Sequence, residues 1–257
     1  FAFPGFCMIV MEYCPCGDLL RPIRQARQEA ASAEVAYEPP ALAQRWIGQI
    51  FLALEHLHLK MRSMLRDIKP ENVVLNDRAI AKLTDFGFGR GDVESNGTWS
   101  FGMPPGSPGY IAPESLLQQQ YDCRTDLYSY GVVIWVLLTG GVKYDSEPRP
   151  PLGVKKSRSD YMAHANDWHH LQQCIQYPEQ HQACPLPTIA VKLVTNLTQK
   201  RQSDRPLHPE IRQYPLLQEL GLPEVCDSRA AVNAWLAASE DGSSSSRAPA
   251  SASSRID

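Results

Sequence analysis

The sequence has no marked excess of either charge: 25 Lys and Arg against 28 Asp and Glu leave a net charge of −3 over 257 residues. That balance excludes a strong basic field for nucleic acid. Long apolar runs are missing too. The longest, Leu127–Leu138, is too short to span a bilayer and holds Ser129 and Gly131, so it predicts a buried core helix and no membrane partner. The seven cysteines form no regular framework, which excludes a disulfide scaffold and fits reduced thiols. Cys14 and Cys16 are closer together than a usual zinc pair, and no second ligand pair follows. There is no signal peptide and no internal repeat, and the chain opens at Phe1 rather than at Met. We expect a piece of an intracellular, cytoplasmic protein. What is present is ordinary for a globular chain: 43% hydrophobic and 21% charged residues, enough for a real core.

Phe6–Tyr13 is a short apolar run with aromatic and branched residues, which predicts a buried strand ending at the turn signal Cys14-Pro15-Cys16-Gly17. Residues 21–40 read as a polar connection rich in Ala and Gln and ending in Pro39-Pro40. Between Ala41 and Lys60 the apolar positions Ile47, Ile50, Phe51, Leu54 and Leu57 recur at spacings of three and four, one face of an amphipathic helix. Short β segments at 72–75 and 81–83, separated by Asn76-Asp77-Arg78, predict a hairpin. The Gly- and Pro-rich stretch 86–113 predicts a long surface loop, and long ordered loops are usually functional. Helices are expected over 124–139, 167–176, 187–199 and 208–220, with an insertion at 141–166 and disorder from about 237.

Chemistry concentrates in Leu65-Arg66-Asp67-Ile68-Lys69-Pro70-Glu71-Asn72, Asp85-Phe86-Gly87 and Ala112-Pro113-Glu114. Asp67, Asn72 and Asp85 supply hard oxygens of the kind that hold Mg²⁺ on a triphosphate. Arg66 and Lys69 supply fixed positive charge. A hairpin between Asn72 and Asp85 folds the two metal-ligand candidates back toward one another. Such convergence suits phosphoryl transfer, where positioning and charge neutralisation dominate. Taken singly, each residue has a plainer reading. Asp67 or Asp85 alone would be a surface or capping carboxylate, and His164, His169 and His170 read as scattered helix-surface histidines rather than metal ligands.

Together, in this order and spacing, the motifs resemble the eukaryotic protein kinase family of the Ser/Thr type, and the second-messenger-regulated and calmodulin-dependent groups most of all. The joint pattern displaces the plainer reading for Asp67, Lys69, Asn72 and Asp85. The resemblance implies an α+β fold, a mainly helical large lobe with short β hairpins and a small lobe mostly missing. It divides the chain into residues 1–20 (last small-lobe strand, hinge and start of the large lobe), 21–220 (large lobe) and 221–257 (C-terminal extension). It implies ATP and Mg²⁺ as cofactors and protein Ser/Thr hydroxyls as acceptors. By it, Asp67 is the catalytic base or hydroxyl-orienting residue, Lys69 contacts the transferring phosphate, and Asn72 and Asp85 bind the metal. The nucleotide set is Met11, Glu12, Cys14, Asp18, Leu19 and Val74: Met11 as gatekeeper, the backbone of Glu12 and Cys14 toward adenine, and Leu19 with Val74 beneath the ring. Asp18 and Glu71 can also meet basic residues upstream of the target hydroxyl. Arg66, Phe86, Gly87, Ser107 and Glu114 serve activation and substrate docking, with Ser107 bonded to both Asp67 and Lys69. Asp126, holding the catalytic loop's backbone, and Arg205, paired with Glu114, are structural.

The sequence also departs from the family pattern. Leu65 stands where histidine is usual and is expected to pack on Phe86. The approach to the loop is longer than common, with a bulge expected at Lys60–Arg62. Met103 occupies a position that often carries a phosphorylatable Thr, leaving Thr98 and Ser100 as candidates. No Gly-rich loop, strand lysine or partner glutamate occurs in these residues, so weak ATP binding by them alone is expected. A truncated or pseudokinase-like binding module is the alternative, although it has no chemical need for Asp67, Lys69, Asn72 and Asp85 together.

Overall fold

A computed structural model describes residues 2–3, 6–88, 90–91, 106–107, 109–116, 122–141, 167–181, 183–224 and 235. Contacts divide the chain into two units, Phe1–Leu222 and Pro223–Asp257, and only residues 223, 224 and 235 of the second are described. The insertion 141–166 beyond Gly141, the tail and the candidate phosphosites Thr98 and Ser100 lie outside the described residues.

The first unit is mainly helical, with paired two-stranded β elements. Strands β1 (Ala2–Phe3) and β2 (Phe6–Cys7) pair antiparallel. The expected buried strand over Phe6–Tyr13 is not formed. Beyond Cys7 the chain is irregular, and Ile9, Met11 and Tyr13 are 81%, 64% and 84% exposed. Its apolar composition would suit a sheet interior, but no described element covers these side chains, and composition alone does not bury a strand. The turn at Cys14–Gly17 forms as expected, with the Gly17 N–H donating to Cys14 O.

Residues 21–40 hold a second correction. Leu20–Ala33 is a helix, α1, where a connection was expected. Its Ala, Gln and Arg residues are good helix formers, and Pro22 is tolerated because it falls in the first turn. Leu20 and Ile23 bury its inner face, and Glu34 ends it in a left-handed conformation with its N–H on Ala30 O. Helix α2 (Ala43–Leu59) carries Ile47, Ile50, Phe51, Leu54 and Leu57 into the core, as their spacing predicts. At its end Arg62 has a φ of 48°, and the Met61 N–H bonds back to His56 O, the turn in which the longer approach is absorbed.

The predicted hairpin is β4 (Val73–Leu75) and β5 (Ala81–Leu83), preceded by β3 (Ser63–Met64), which pairs with β6 (Arg90–Gly91). Two side chains of α2 fix the hairpin to the core: Gln49 accepts the Ala81 N–H, and Trp46 Nε1 donates to Ala79 O. After α3 (Pro113–Leu116), helix α4 (Arg124–Thr139) is buried on all sides from Thr125 to Thr139, the arrangement a continuous apolar helix requires. Gly140 ends α4 at a φ of 81°, and a Cβ there would lie 2.9 Å from the Tyr37 ring, whose hydroxyl donates to Leu137 O. Helices α5 (Asp167–Gln176) and α6 (Thr188–Leu197) follow as predicted. The single helix expected over 208–220 is two short ones, α7 (His208–Ile211) and α8 (Pro215–Glu219). Proline at 215 has no N–H to continue the first, and Tyr214 before it is extended.

Candidate active site

The loop 65–72 leaves β3 and returns into the hairpin, and its shape is set from beneath by one carboxylate. Asp126, in the first turn of α4 and fully buried, accepts the N–H of Leu65 on Oδ2 and that of Arg66 on Oδ1, both at 2.8 Å. Asp126 Oδ2 also meets His58 Nε2 at 2.9 Å, and His58 Nδ1 meets His208 Nε2 at 2.9 Å. Burial, then the neighbouring His58 and Arg212, push the His208 imidazole down to about 3, so it is neutral at ordinary pH. Arg66 is held at a φ of 66°, a left-handed conformation that costs a non-glycine residue about 1 kcal/mol or more and that this network maintains.

Above this support four side chains meet. Lys69 Nζ donates to Asp67 Oδ2 at 2.8 Å and to Ser107 Oγ at 2.6 Å. Asn72 Nδ2 donates to Asp67 O at 2.8 Å and to Asp67 Oδ2 at 3.1 Å. Asp67 is 3% exposed, and its second oxygen, Oδ1, takes no hydrogen bond from any described residue. A buried carboxylate oxygen without a donor costs about 1–3 kcal/mol or more, and such atoms mark places where something else is to be bound or moved. Ser107 reaches the loop because Gly106, at a φ of 117°, brings the backbone against it. A Cβ at Gly106 would lie 3.0 Å from Arg66 O.

The hairpin ties this group to Asp85. The Thr84 N–H donates to Asn72 O at 3.0 Å, so Asp85 emerges beside Asn72, with a φ of 60° and an exposed carboxylate whose Oδ1 accepts the Gly87 N–H. Asn72 uses only its NH₂ toward Asp67. Its amide oxygen and the Asp85 carboxylate are donors of the type hard divalent cations take. Residues 16–19 run antiparallel along β4: Cys16 N–H to Leu75 O, Leu75 N–H to Gly17 O and Leu19 N–H to Val73 O. This brings Cys14, Asp18 and Val74 to one edge of the hairpin. Glu12 joins it through Lys82, whose Nζ lies 2.7 and 2.6 Å from the two carboxylate oxygens.

Farther out, Glu114 on α3 and Arg205 form a bidentate pair at 2.6 and 2.7 Å, with the Arg205 side chain 0% exposed. Thr125 Oγ1 donates to Glu114, and the guanidinium lies over the Tyr128 ring.

Residues 2–217 match the family described as Protein kinase domain. The chain belongs to the protein kinase family. Among curated relatives it is 34% identical to the human hormonally up-regulated neu tumor-associated kinase over 140 residues, 54% of this chain and 18% of that protein. It is 34% identical to serine/threonine-protein kinase nekl-2 of Caenorhabditis elegans over 153 residues, 59% of this chain and 42% of the relative. It is 35% identical to serine/threonine-protein kinase ULK3 of Xenopus laevis over 144 residues, 55% and 28% respectively. The chain thus spans less than half the length of these relatives. The family's domain uses ATP and a divalent metal.

Against the kinase expectation, Asp67, Lys69, Asn72 and Ser107 come together, but among the described residues Ser107 Oγ bonds Lys69 and not Asp67, which it reaches only through the lysine. Leu65 is fully buried, whereas Phe86 is 54% exposed and so is not enclosed against it. A tight turn follows Asp85, with the Gly87 N–H bonded back to its carboxylate. Leu19 is fully buried and offers no surface to a base, which leaves Val74 as the half-exposed side chain on that edge. Sequence reasoning missed His58 and His208. The only signal was position: His58 directly follows Leu57 on the core face of α2. It also missed the pair of Glu55 with Arg212, whose Nε donates at 2.8 Å across 157 positions.

Proposed function

We propose that the protein is a serine/threonine kinase, transferring the γ-phosphoryl group of ATP to Ser or Thr hydroxyls of protein substrates. The observation that carries this reading is Lys69 bridging Asp67 and Ser107 while Asp67 Oδ1 stays without a donor. Asp67 Oδ1, buried and without a donor among the described residues, would accept the proton of an incoming hydroxyl and orient it once the substrate opens the loop. Lys69, held between two oxygens, would set its ammonium group beside the transferring phosphoryl group and offset its negative charge. Asn72 and Asp85 would hold the metal, Mg²⁺ in this reading, which when bound neutralises phosphate charge. Met11, Glu12, Cys14, Asp18 and Val74 would receive the base. Arg66, Phe86, Gly87 and Glu114 would govern activation and docking. An acceptor with an upstream basic residue would meet Asp18 in a groove also lined by Arg21 and Arg24, so selection there is weak. No described helix is long and apolar enough to cross a membrane. Among the described residues, Cys14, Cys16, Cys123 and Cys184 are free thiols, which supports a reducing, cytoplasmic setting.

The test is phosphate transfer from radiolabelled ATP to a generic protein acceptor by the full-length gene product, beside Asp85→Ala and Asp67→Asn. Loss of transfer in both variants, with circular dichroism unchanged, is expected. Equal transfer by the three proteins would defeat this mechanism, and absence of transfer by the wild type would leave a binding module as the reading.

A further inference from the structure

Away from the catalytic loop, α5 and the turn after it bring together three side chains that the kinase chemistry does not use. His170 and Cys174 are four apart and share one face of α5, with His170 Nε2 3.2 Å from Cys174 Sγ. The chain then reverses at Tyr177, whose N–H donates to Gln173 O at 2.7 Å, and the 3₁₀ turn Pro178–His181 carries His181 back toward the helix. The rings of His170 and His181 stand edge to face, 5.1 Å between centroids and 89° between planes. Cys174 is buried and both histidines are half-buried. One nitrogen from each histidine and the Cys174 sulfur all lie within 4.8 Å of one another.

We propose that His170, Cys174 and His181 form a binding site for a borderline-soft divalent cation, zinc foremost, that clamps the 178–181 turn to α5. Two imidazoles and a thiolate are the donor set zinc takes and that magnesium and calcium do not, so this site is chemically separate from the oxygen donors Asn72 and Asp85. Bonds of about 2.0–2.1 Å to nitrogen and 2.3 Å to sulfur place tetrahedral donors roughly 3.3–3.7 Å apart. The His170–Cys174 contact is already that short, and closing the rest asks about 1 Å of His181, which sits on a short surface turn. Cys174 enters as its thiolate, its proton passing to solvent as the sulfur–metal bond forms. A thiol–imidazole hydrogen bond explains the first two residues but gives no reason for a second imidazole to converge on them from a separate element.

The reading of His169 and His170 as scattered surface histidines therefore divides. His169 is exposed, and His170 belongs to the cluster. Metal-stripped full-length protein would be titrated with Zn²⁺ against a chromophoric chelator, and separately loaded with Co²⁺ for absorption spectroscopy. The expected result is one ion per chain, weakened by more than about tenfold in His181→Gln and in Cys174→Ser. Cys184→Ser, three residues from His181, should bind as the wild type does. The Co²⁺ form should show thiolate-to-metal charge transfer that Cys184→Ser retains. Should Cys174→Ser fail to fold, His181→Gln decides, since its half-exposed turn tolerates an amide. Absence of bound zinc, affinity unchanged in His181→Gln, or a cobalt spectrum without the thiolate band would each overturn the proposal.

Discussion

His208 Nε2 lies 2.9 Å from His58 Nδ1, and that contact is the far end of the support under the catalytic loop. An ionised Asp126 can only accept, so His58 Nε2 carries a proton toward it, and Asp126 in turn receives the Leu65 and Arg66 N–H groups. The shape of the loop bearing Asp67 thus depends on groups contributed by α2, α4 and α7, none of which touches the reacting atoms.

That chain predicts acid sensitivity. The His208 imidazole, lowered to about 3 in the folded protein against an ordinary 6.5, stays neutral while the unfolded chain takes up a proton. Between those values the unfolded state binds more protons, so stability falls as pH falls through the window. From pH 7 to pH 5 the loss is about 2 kcal/mol from this residue. Urea unfolding of the wild type and His208→Gln at the two pH values checks it: the variant should be less stable at pH 7 but lose about 2 kcal/mol less on acidification. Equal slopes would refute it.

Asp126→Asn separates shape from burial. The amide volume is nearly the same, yet only one oxygen remains to accept, and its NH₂ faces another N–H. A buried group losing charge-assisted bonds costs about 3 kcal/mol. Thermal unfolding should show a drop of that order. Phosphate transfer per folded molecule should fall as well, because Arg66 is no longer held at its positive φ.

Local periodicity made α2, α4, α5 and the β4–β5 hairpin legible, since each keeps a period set by its own burial. Residue identity at fixed spacing made Asp67, Lys69, Asn72 and the Glu114–Arg205 pair legible. Two kinds of feature were not. Helix α1 reads as polar connection because only Leu20 and Ile23 mark its buried face among many charged and small residues. Contacts such as His58 with His208 or Glu55 with Arg212 join positions about 150 apart, and a lone histidine or glutamate carries no sign of so distant a partner. The exposed run from Met8 to Met11 failed in the opposite direction: its composition suits a strand, but pairing and cover decide burial.

Gly106→Ala tests the approach of the docking segment. A Cβ there would meet Arg66 O at 3.0 Å and Ile111 Cγ1 at 3.1 Å, at a φ of 117° that alanine adopts only under strain. Relief requires the segment to lift, and Ser107 leaves Lys69 as it does. The expected result is a fall in kcat/KM of about tenfold or more, equivalent to about 1.4 kcal/mol, with a melting temperature within a few degrees of the wild type. Unchanged turnover would show that the Lys69–Ser107 bond has no part in transfer.

The Glu114–Arg205 pair makes the last prediction, which turns on leaving one partner behind. Arg205 has a fully buried side chain, donates to both Glu114 oxygens and also serves the carbonyls of Gln199 and Arg124. Glu114→Gln keeps the shape but removes the compensating charge, so a guanidinium remains in the interior with neutral acceptors only. Breaking such a pair costs about 3–5 kcal/mol, whereas replacing both partners by apolar groups of similar size is often close to neutral. Glu114→Gln and Arg205→Met should therefore each lower stability by about that amount in urea unfolding. Glu114→Leu combined with Arg205→Met should recover at least half of the loss while phosphate transfer stays impaired, because α3 no longer has a directional tie to the chain at Arg205. A double variant as unstable as the sum of the singles would mean that the pair itself supplies net stability, and that its burial is not offset by packing.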